Sequence, residues 1–531
     1  MKPEAKARGM GVGRALYQSG TFSALFDFTT RVHADRVFLR YRDRDILYSD
    51  LRRESAALGE AFAAHRLRRG NGVAFLSSNT PETLIARDAA VCRGLHFIAL
   101  NGLSARADHV ALIEDLNLGT VIVDDREYPN APIEFAEALP DRQIIRFGER
   151  SDGSGLSELA RPFLGAELRI DSQPDDIVRI VQTGGTTGKS KGVILNHRTQ
   201  INYILMCNAS WDLPQEMRFL STTPLSHAAG TYAPLAMIRG GSFFMLPKFS
   251  PLEFQRAVVA NGITCTMLVP TQMKRILQDP DVDPKIIGGI ETIMYGAAPI
   301  APSVLEDWLR RFGPNISQLY GQSESPMCIT SLPKSLHSLD HRSRLASCGL
   351  PNIGVQVAIM RPDRTIAGDN EPGEIVTRSP SVMEGYWKRE KETAEACAGD
   401  WLHTGDLGYR DEDGFYYIVG RAKELIISGG FNIYPKEIED LIAQHPSVKD
   451  VAVIGVPDSD WGEAVKAFVV LHAGTALDTA ALATMVRQRK GPVHAPKSFE
   501  QIDAIPQTAL GKPDKKALRA RYWEGQSRAI A

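Results

Sequence analysis

No run of apolar residues in this 531-residue chain approaches the roughly 20 that a bilayer-crossing helix needs. Stretches such as Val73–Leu76 and Met267–Pro270 are only a few residues long, so no membrane span is expected. An excess of charge is missing too. Lys+Arg 61 against Asp+Glu 63 leaves a net charge of −2, which gives no global attraction to nucleic acid or to an anionic surface. Cysteine is scarce: six residues, none in a CxxC pair, argue against a zinc ribbon or a disulfide framework and for a reduced, cytoplasmic setting. Internal repeats and low-complexity tracts are absent. The opening MKPEAKARGMGVG has no apolar core of the secretory kind, and the closing SRAIA reads as no retention or peroxisomal address.

What is present is ordinary globular material. Hydrophobic residues make up 43% and charged residues 23%, which excludes a disordered chain. The length provides for three or four domains' worth of chain. Leu51, Leu58 and Phe62 fall at helical spacing, Gly70-Asn71-Gly72 breaks the pattern, and Val73–Ser77 reads as a buried strand. Pro81–Arg93 is again helical and His96–Leu100 extended. Continued to about residue 420, this alternation predicts layered α/β subdomains with parallel sheets. Residues 422–531 differ. Val451–Val456 and Val465–Leu471 read as strands, and Pro435 onward, Thr479–Arg489 and Pro513–Tyr522 as helices. The expected organisation is a large domain over 1–421 and a small, mobile α+β lid over 422–531.

The densest chemical signal is Thr183-Gly184-Gly185-Thr186-Thr187-Gly188-Lys189-Ser190-Lys191-Gly192, directly after the strand-like Ile177–Gln182. Glycines let backbone N–H groups crowd an anion, threonines add hydroxyls and lysines add charge, so phosphate is the natural guest. It is not a Walker loop, because G-x4-G-K-[ST] would require glycine where Thr183 stands. Further along come Tyr295-Gly296-Ala297-Ala298-Pro299, Tyr320-Gly321-Gln322-Ser323-Glu324, Trp401-Leu402-His403-Thr404-Gly405-Asp406, Gly420-Arg421-Ala422-Lys423-Glu424 and Gly511-Lys512. Each is unremarked alone; a mobile Gly/Thr loop, a tight turn or a solvated lysine would account for it. Their order in one chain is hard to explain by chance.

Together these motifs resemble the adenylate-forming superfamily of acyl- and aryl-CoA synthetases, nonribosomal adenylation domains and luciferases, over about residues 20–520. The resemblance implies an ATP-dependent carboxylic acid–CoA ligase that passes through an acyl-AMP and releases pyrophosphate, with Mg²⁺ and coenzyme A required. A medium/long-chain fatty acid or an aryl or cyclic acid is the expected substrate. It further implies that Thr183, Gly184, Gly185, Thr186, Thr187, Gly188 and Lys191 grip pyrophosphate, Thr186 also serving catalysis. Gly296, Ala297, Ala298 and Pro299 would pack on adenine, and Tyr320, Gly321, Gln322 and Ser323 would face the nucleotide. Glu324 would hold Mg²⁺, Asp406 the ribose hydroxyls, and Arg421 would make a second nucleotide contact.

The same resemblance makes Lys512 the lysine that reaches the carboxylate and the α-phosphate, and His227 a catalytic gate between acyl pocket and thiol. Lys423 becomes the hinge, and Gly429, Gly430 and Trp461 residues that meet CoA. His227, Thr231, Met273, Gly321 and Gln322 are the expected acyl-pocket lining. Acetate-specific relatives carry Trp at the position of Gly321, so the glycine implies room for a longer acid. Three residues depart from the usual pattern: Gly184 replaces a serine, Ser190 a proline and Ser323 a threonine. The partners implied are small molecules, with no nucleic acid, and a homodimer is left open. Two other readings stand beside the ligase: an adenylating enzyme that loads a carrier protein, and a non-catalytic nucleotide-binding relative. The basic residues Lys515, Lys516, Arg519 and Arg521 read as one solvated helix face.

Overall fold

The computed structural model describes residues 20–41, 44–102, 104–147, 155–183, 191–226, 229–507 and 513–523. Two large sheets organise the first part of the chain. One has seven strands, in the order Gly385–Tyr386, Lys191–Asn196, Ile177–Thr183, His96–Ala99, Gly72–Leu76, Thr120–Val123 and Gln143–Arg146. From Ile177–Thr183 to Gln143–Arg146 the neighbours are parallel, while Lys191–Asn196 folds back antiparallel on Ile177–Thr183. The other sheet has nine strands and a parallel centre that includes Arg218–Ser221, Cys265–Leu268, Thr292–Gly296 and Ile316–Gln322.

Helices lie between the two sheets. The helix Pro81–Cys92 buries every residue except Glu82, as a helix must when apolar surface covers it all round. One buried cluster joins Leu84, Ala86 and Ala90 of this helix to Val73 and Phe75 of one sheet and to Phe219 and Phe243 of the other. Separate clusters cover the outer faces, around Phe254, Ile276 and Trp308 on one side and Ile113 and Phe135 on the other. The layering is therefore helix, sheet, helix, sheet, helix, as α/β patterning requires.

The sequence pattern did not foresee a third, four-stranded sheet of Gln356–Met360, Gly373–Arg378, Leu402–Arg410 and Tyr416–Arg421. All its pairings are antiparallel. Along Leu402–Arg410 every second residue is buried, from Leu402 to Gly408, which is the period of a strand with one covered face.

Residues beyond 425 build clusters of their own. Ile426, Ile438, Val453, Val469, Leu482 and Val486 form one, and Ile454, Phe468, Ile505 and Leu518 another, on opposite sides of the long antiparallel pair Val448–Asp458 and Gly462–Leu471. The solvated basic face expected of the helix Lys515–Ala520 holds at Lys516, which is exposed, and fails at Lys515. The Lys515 side chain is largely covered, lying between Glu439, at 2.7 Å, and Glu424, at 3.2 Å. Burial by itself would lower the ammonium's pKa; the two carboxylates outweigh it and hold it above the ordinary value.

Candidate active site

Gly296 ends the parallel strand Thr292–Gly296, and Gln322 ends its neighbour Ile316–Gln322, so both motifs emerge at carboxyl edges of strands. Ligands of α/β sheets bind outside such edges. A Cβ added to Gly296 would lie 2.4 Å from the Leu319 carbonyl oxygen, so only glycine fits against that strand. Ala297 follows with φ +65°, turning the chain out of the sheet.

Asp406 comes from the four-stranded sheet, where it pairs in register with Arg421. Its carboxylate is buried; one oxygen accepts the Tyr320 phenol at 2.6 Å and the other meets Arg421 Nε at 2.6 Å. Burial, and then the Asp406 charge, raise the Tyr320 pKa, so the phenol remains a donor. The backbone beside Asp406 is held by a residue that sequence reasoning missed. Glu374 accepts the Gly405 N–H at 2.9 Å and hydrogen-bonds His403 Nδ1 at 2.7 Å. Thr404, which stands in the motif but had no role assigned, donates its hydroxyl to the Ile375 carbonyl and accepts the Asp406 N–H.

Ser323 and Glu324 occupy the turn after Ile316–Gln322. Glu324 Oε1 accepts the phenol of Tyr386 at 2.8 Å, and the Glu324 carbonyl accepts the Met383 N–H. Tyr386 belongs to the seven-stranded sheet, and the Lys191 ammonium lies 4.6 Å from its ring centroid. The nine-stranded sheet is thus joined to the four-stranded sheet through Tyr320–Asp406 and to the seven-stranded sheet through Glu324–Tyr386. Tyr386 was not singled out in the sequence; its only local signal is an aromatic after Gly385, and its partner is 62 residues away.

The phosphate-loop residues Gly184, Gly185, Thr186, Thr187 and Gly188 lie outside the described residues, as do the Thr183 side chain, His227 and Lys512. Thr183 and Lys191 flank the loop at the ends of paired strands. Among the expected acyl-pocket residues, Thr231 is buried with its hydroxyl 3.4 Å from Met327 Sδ. Met273 is fully buried in the outer cluster with Leu268 and Ile276, so it is a core residue rather than part of an open lining.

Gly321 corrects the expectation of free space. A Cβ there would lie 2.5 Å from Met327 N and 2.6 Å from its Cα, so backbone fills the position. Gly321 sits at the irregularity between the paired strands Ile316–Gln322 and Ser325–Leu332, where close approach needs a residue without a side chain. Gly321→Ala should therefore cost about 1–3 kcal/mol by overpacking. The expected readouts are a lower unfolding midpoint and a uniform fall in kcat/KM from acetate to decanoate; a changed ranking of chain lengths would restore the pocket reading.

In the last part of the chain, Gly429 and Gly430 take φ +57° and +82°. Gly429 N–H donates to the Trp461 carbonyl at 2.8 Å, and a Cβ on Gly429 would collide with the indole at 2.2 Å. Trp461 is 40% exposed, with the Lys497 ammonium 4.6 Å from its ring centroid. Lys423 lies in the short 3₁₀ turn Ala422–Glu424, between Tyr416–Arg421 and Ile426–Ser428.

Layered α/β sheets with two motifs at the carboxyl edges of parallel strands, one of them hydrogen-bonded to a buried carboxylate, are the frame of a nucleotide-using enzyme of the adenylate-forming class. Residues 26–387 match the model of the AMP-binding enzymes, and residues 437–512 that of the AMP-binding enzyme C-terminal domain. The chain belongs to the AMP-binding enzyme family, as an ATP-using acid–CoA ligase of the AMP-forming kind. It is 41% identical over 488 residues to the medium/long-chain-fatty-acid–CoA ligase FadD8 of Mycobacterium tuberculosis, across 89% of this chain and 85% of the relative. Among solved structures, ATP-bound MatB of Rhodopseudomonas palustris superposes with a TM-score of 0.86 at 28% identity, covering 94% of this chain and 99% of that one. The amide bond synthetase McbA of Marinactinospora thermotolerans gives 0.85, also at 28%, over 94% and 100%.

Proposed function

We propose that this ligase activates a medium- or long-chain fatty acid and transfers it to coenzyme A. The observation that carries the reading is the 41% identity to a ligase named for that substrate class, over nearly the whole chain. A carboxylate oxygen attacks the α-phosphorus of ATP and pyrophosphate leaves; the CoA sulfur then attacks the acyl carbon and AMP leaves. The first step gathers negative charge, so the site must supply donors and cations there.

Thr183, Gly184 to Gly188 and Lys191 take the pyrophosphate oxygens, and Gly296 to Pro299 the adenine. Tyr320, Gln322 and Ser323 line the nucleotide side. Asp406 accepts the ribose hydroxyls, its orientation set by Tyr320 and its charge balanced by Arg421. Glu324 fits a Mg²⁺ ligand: one oxygen is occupied by Tyr386, and among the described residues no cluster of three acidic, His or Cys side chains forms a cage. One carboxylate plus phosphate oxygens is the usual donor set for this ion, which when bound offsets phosphate charge. Lys512 bridges carboxylate and α-phosphate, and His227 gates the path to the thiol, with Thr231 beside it.

The domains divide at residues 421 and 422, Lys423 is the hinge, and Gly429, Gly430 and Trp461 meet CoA. The exposure of Trp461 supports that last assignment. Five of the six cysteines are buried free thiols, which suits a reduced cytoplasm, and among the described residues no helix is long and apolar enough to cross a membrane.

Thiol disappearance and pyrophosphate release, followed across acids from acetate to palmitate and across aryl acids, test the reading. The expected optimum lies between octanoate and palmitate, because each methylene in an apolar pocket is worth about 1–3 kcal/mol. A tenfold preference for an aryl acid would overturn the substrate class. Pyrophosphate release without thiol loss would overturn CoA as acceptor.

A further inference from the structure

Tyr386 is held more firmly than a residue that merely covers a surface. Its strand pairs with Lys191–Asn196 through Gly385↔Ile194 and Tyr386↔Val193, and the flanking Glu384 and Trp387 N–H groups donate to Ile194 and Gly192. Its own N–H donates to Thr393 Oγ1 at 2.9 Å. A Cβ on Gly385 would meet Thr393 Cγ2 at 2.7 Å, so the strand closely approaches the following helix, Glu390–Ala396. With the backbone fixed on both sides, the phenol has one destination, Glu324 Oε1, at 2.8 Å. The same segment grips the Glu324 main chain through Met383 N–H, also at 2.8 Å.

A carboxylate can meet a cation with one oxygen or with both. Mg²⁺ takes near-octahedral ligands at about 2.0–2.1 Å, whereas Ca²⁺ accepts bidentate carboxylates at about 2.3–2.6 Å. A donor held on one oxygen takes up one of its two lone pairs and draws off its charge, which disfavours the bidentate mode.

We propose that Tyr386 is a positioning residue that would bias Glu324 toward one-oxygen coordination of a bound cation, and so favour Mg²⁺ over Ca²⁺ at the nucleotide site. The proposal rests on the reading of Glu324 as the metal ligand, and the two can fail separately. Full-length enzyme saturated with α,β-methylene-ATP is titrated with Mn²⁺, the free ion being followed by its EPR signal. Bound Mn²⁺ is then displaced with Mg²⁺ or with Ca²⁺. Loss of a partner behind a metal ligand typically weakens metal binding about 10–100-fold. Tyr386→Phe keeps the ring beside Lys191 and should raise the Mg²⁺ needed for displacement at least about tenfold. The Ca²⁺ requirement should stay level or fall, so the preference narrows by at least the same factor. Unchanged displacement by both ions in Tyr386→Phe, with Mn²⁺ binding lost in Glu324→Gln, would overturn the role of Tyr386 alone. Unaltered Mn²⁺ binding in Glu324→Gln would instead remove the ligand assignment beneath it. An unfolding midpoint for Tyr386→Phe near that of the parent shows that any displacement change is local; a collapsed midpoint would mark the tyrosine as structural and reject the proposal.

Discussion

Replacing Lys512 with alanine is expected to slow acyl-adenylate formation about 10²–10³-fold, the usual effect of removing one donor aimed at developing charge. Pyrophosphate release reads that step. Thioester formation from a supplied acyl-adenylate should remain within a few-fold of the parent, because the phosphorus chemistry is already complete. Equal losses in both half-reactions would make Lys512 structural. The complementary variant is Lys423→Pro. Proline fixes φ near −65°, so a residue that must adopt two conformations loses one. Lys423 stands in the short turn between Tyr416–Arg421 and Ile426–Ser428, and its replacement should spare adenylation while crippling transfer. Near-parental transfer to CoA would reject the hinge.

Asp406→Asn should weaken ATP and AMP binding about 10–100-fold, since hydrogen bonds to a charged acceptor are worth about 1.5–3 kcal/mol each. The competing outcome is loss of the fold. Removing one partner of a buried pair costs about 3–5 kcal/mol when the other charge is left stranded. Here the Arg421 side chain is 54% exposed and can reach water, and the amide oxygen of the variant can still accept the Tyr320 phenol. Binding should therefore fall much more than stability. Calorimetric titration with AMP, together with the unfolding midpoint, separates the two. Parental AMP affinity would remove Asp406 from the nucleotide site.

The local elements were legible because period and punctuation agree. The pattern predicts a strand over Val73–Ser77, and Gly72–Leu76 forms one; it predicts a helix over Thr479–Arg489, and Thr479–Lys490 forms one. The antiparallel sheet of residues 356–421 was not, because its strands are half covered and carry Gly, Thr and charged residues that also suit loops. Motifs found by their own spacing, such as Tyr320–Glu324, were visible. Tyr386 and Glu374 were not, because their meaning lies in partners far along the chain. Gly321 taught a different lesson: the missing side chain reflects a close backbone contact, which no sequence pattern distinguishes from an open pocket. Lys515 failed for a related reason. In composition it is one basic residue among several, and only the fold brings Glu424 and Glu439 to it.

That paired lysine has a mechanical consequence. Lys515 stands at the start of the last helix, Glu424 in the turn beside Lys423, and Glu439 in the helix Pro435–Ile442. One ammonium thus fastens three separate stretches of chain into a single stiff piece, and Lys512 precedes that fastening by only three positions. If Lys423 is the hinge proposed above, a turn there carries these three stretches as one body, and the chain leading to Lys512 turns with them.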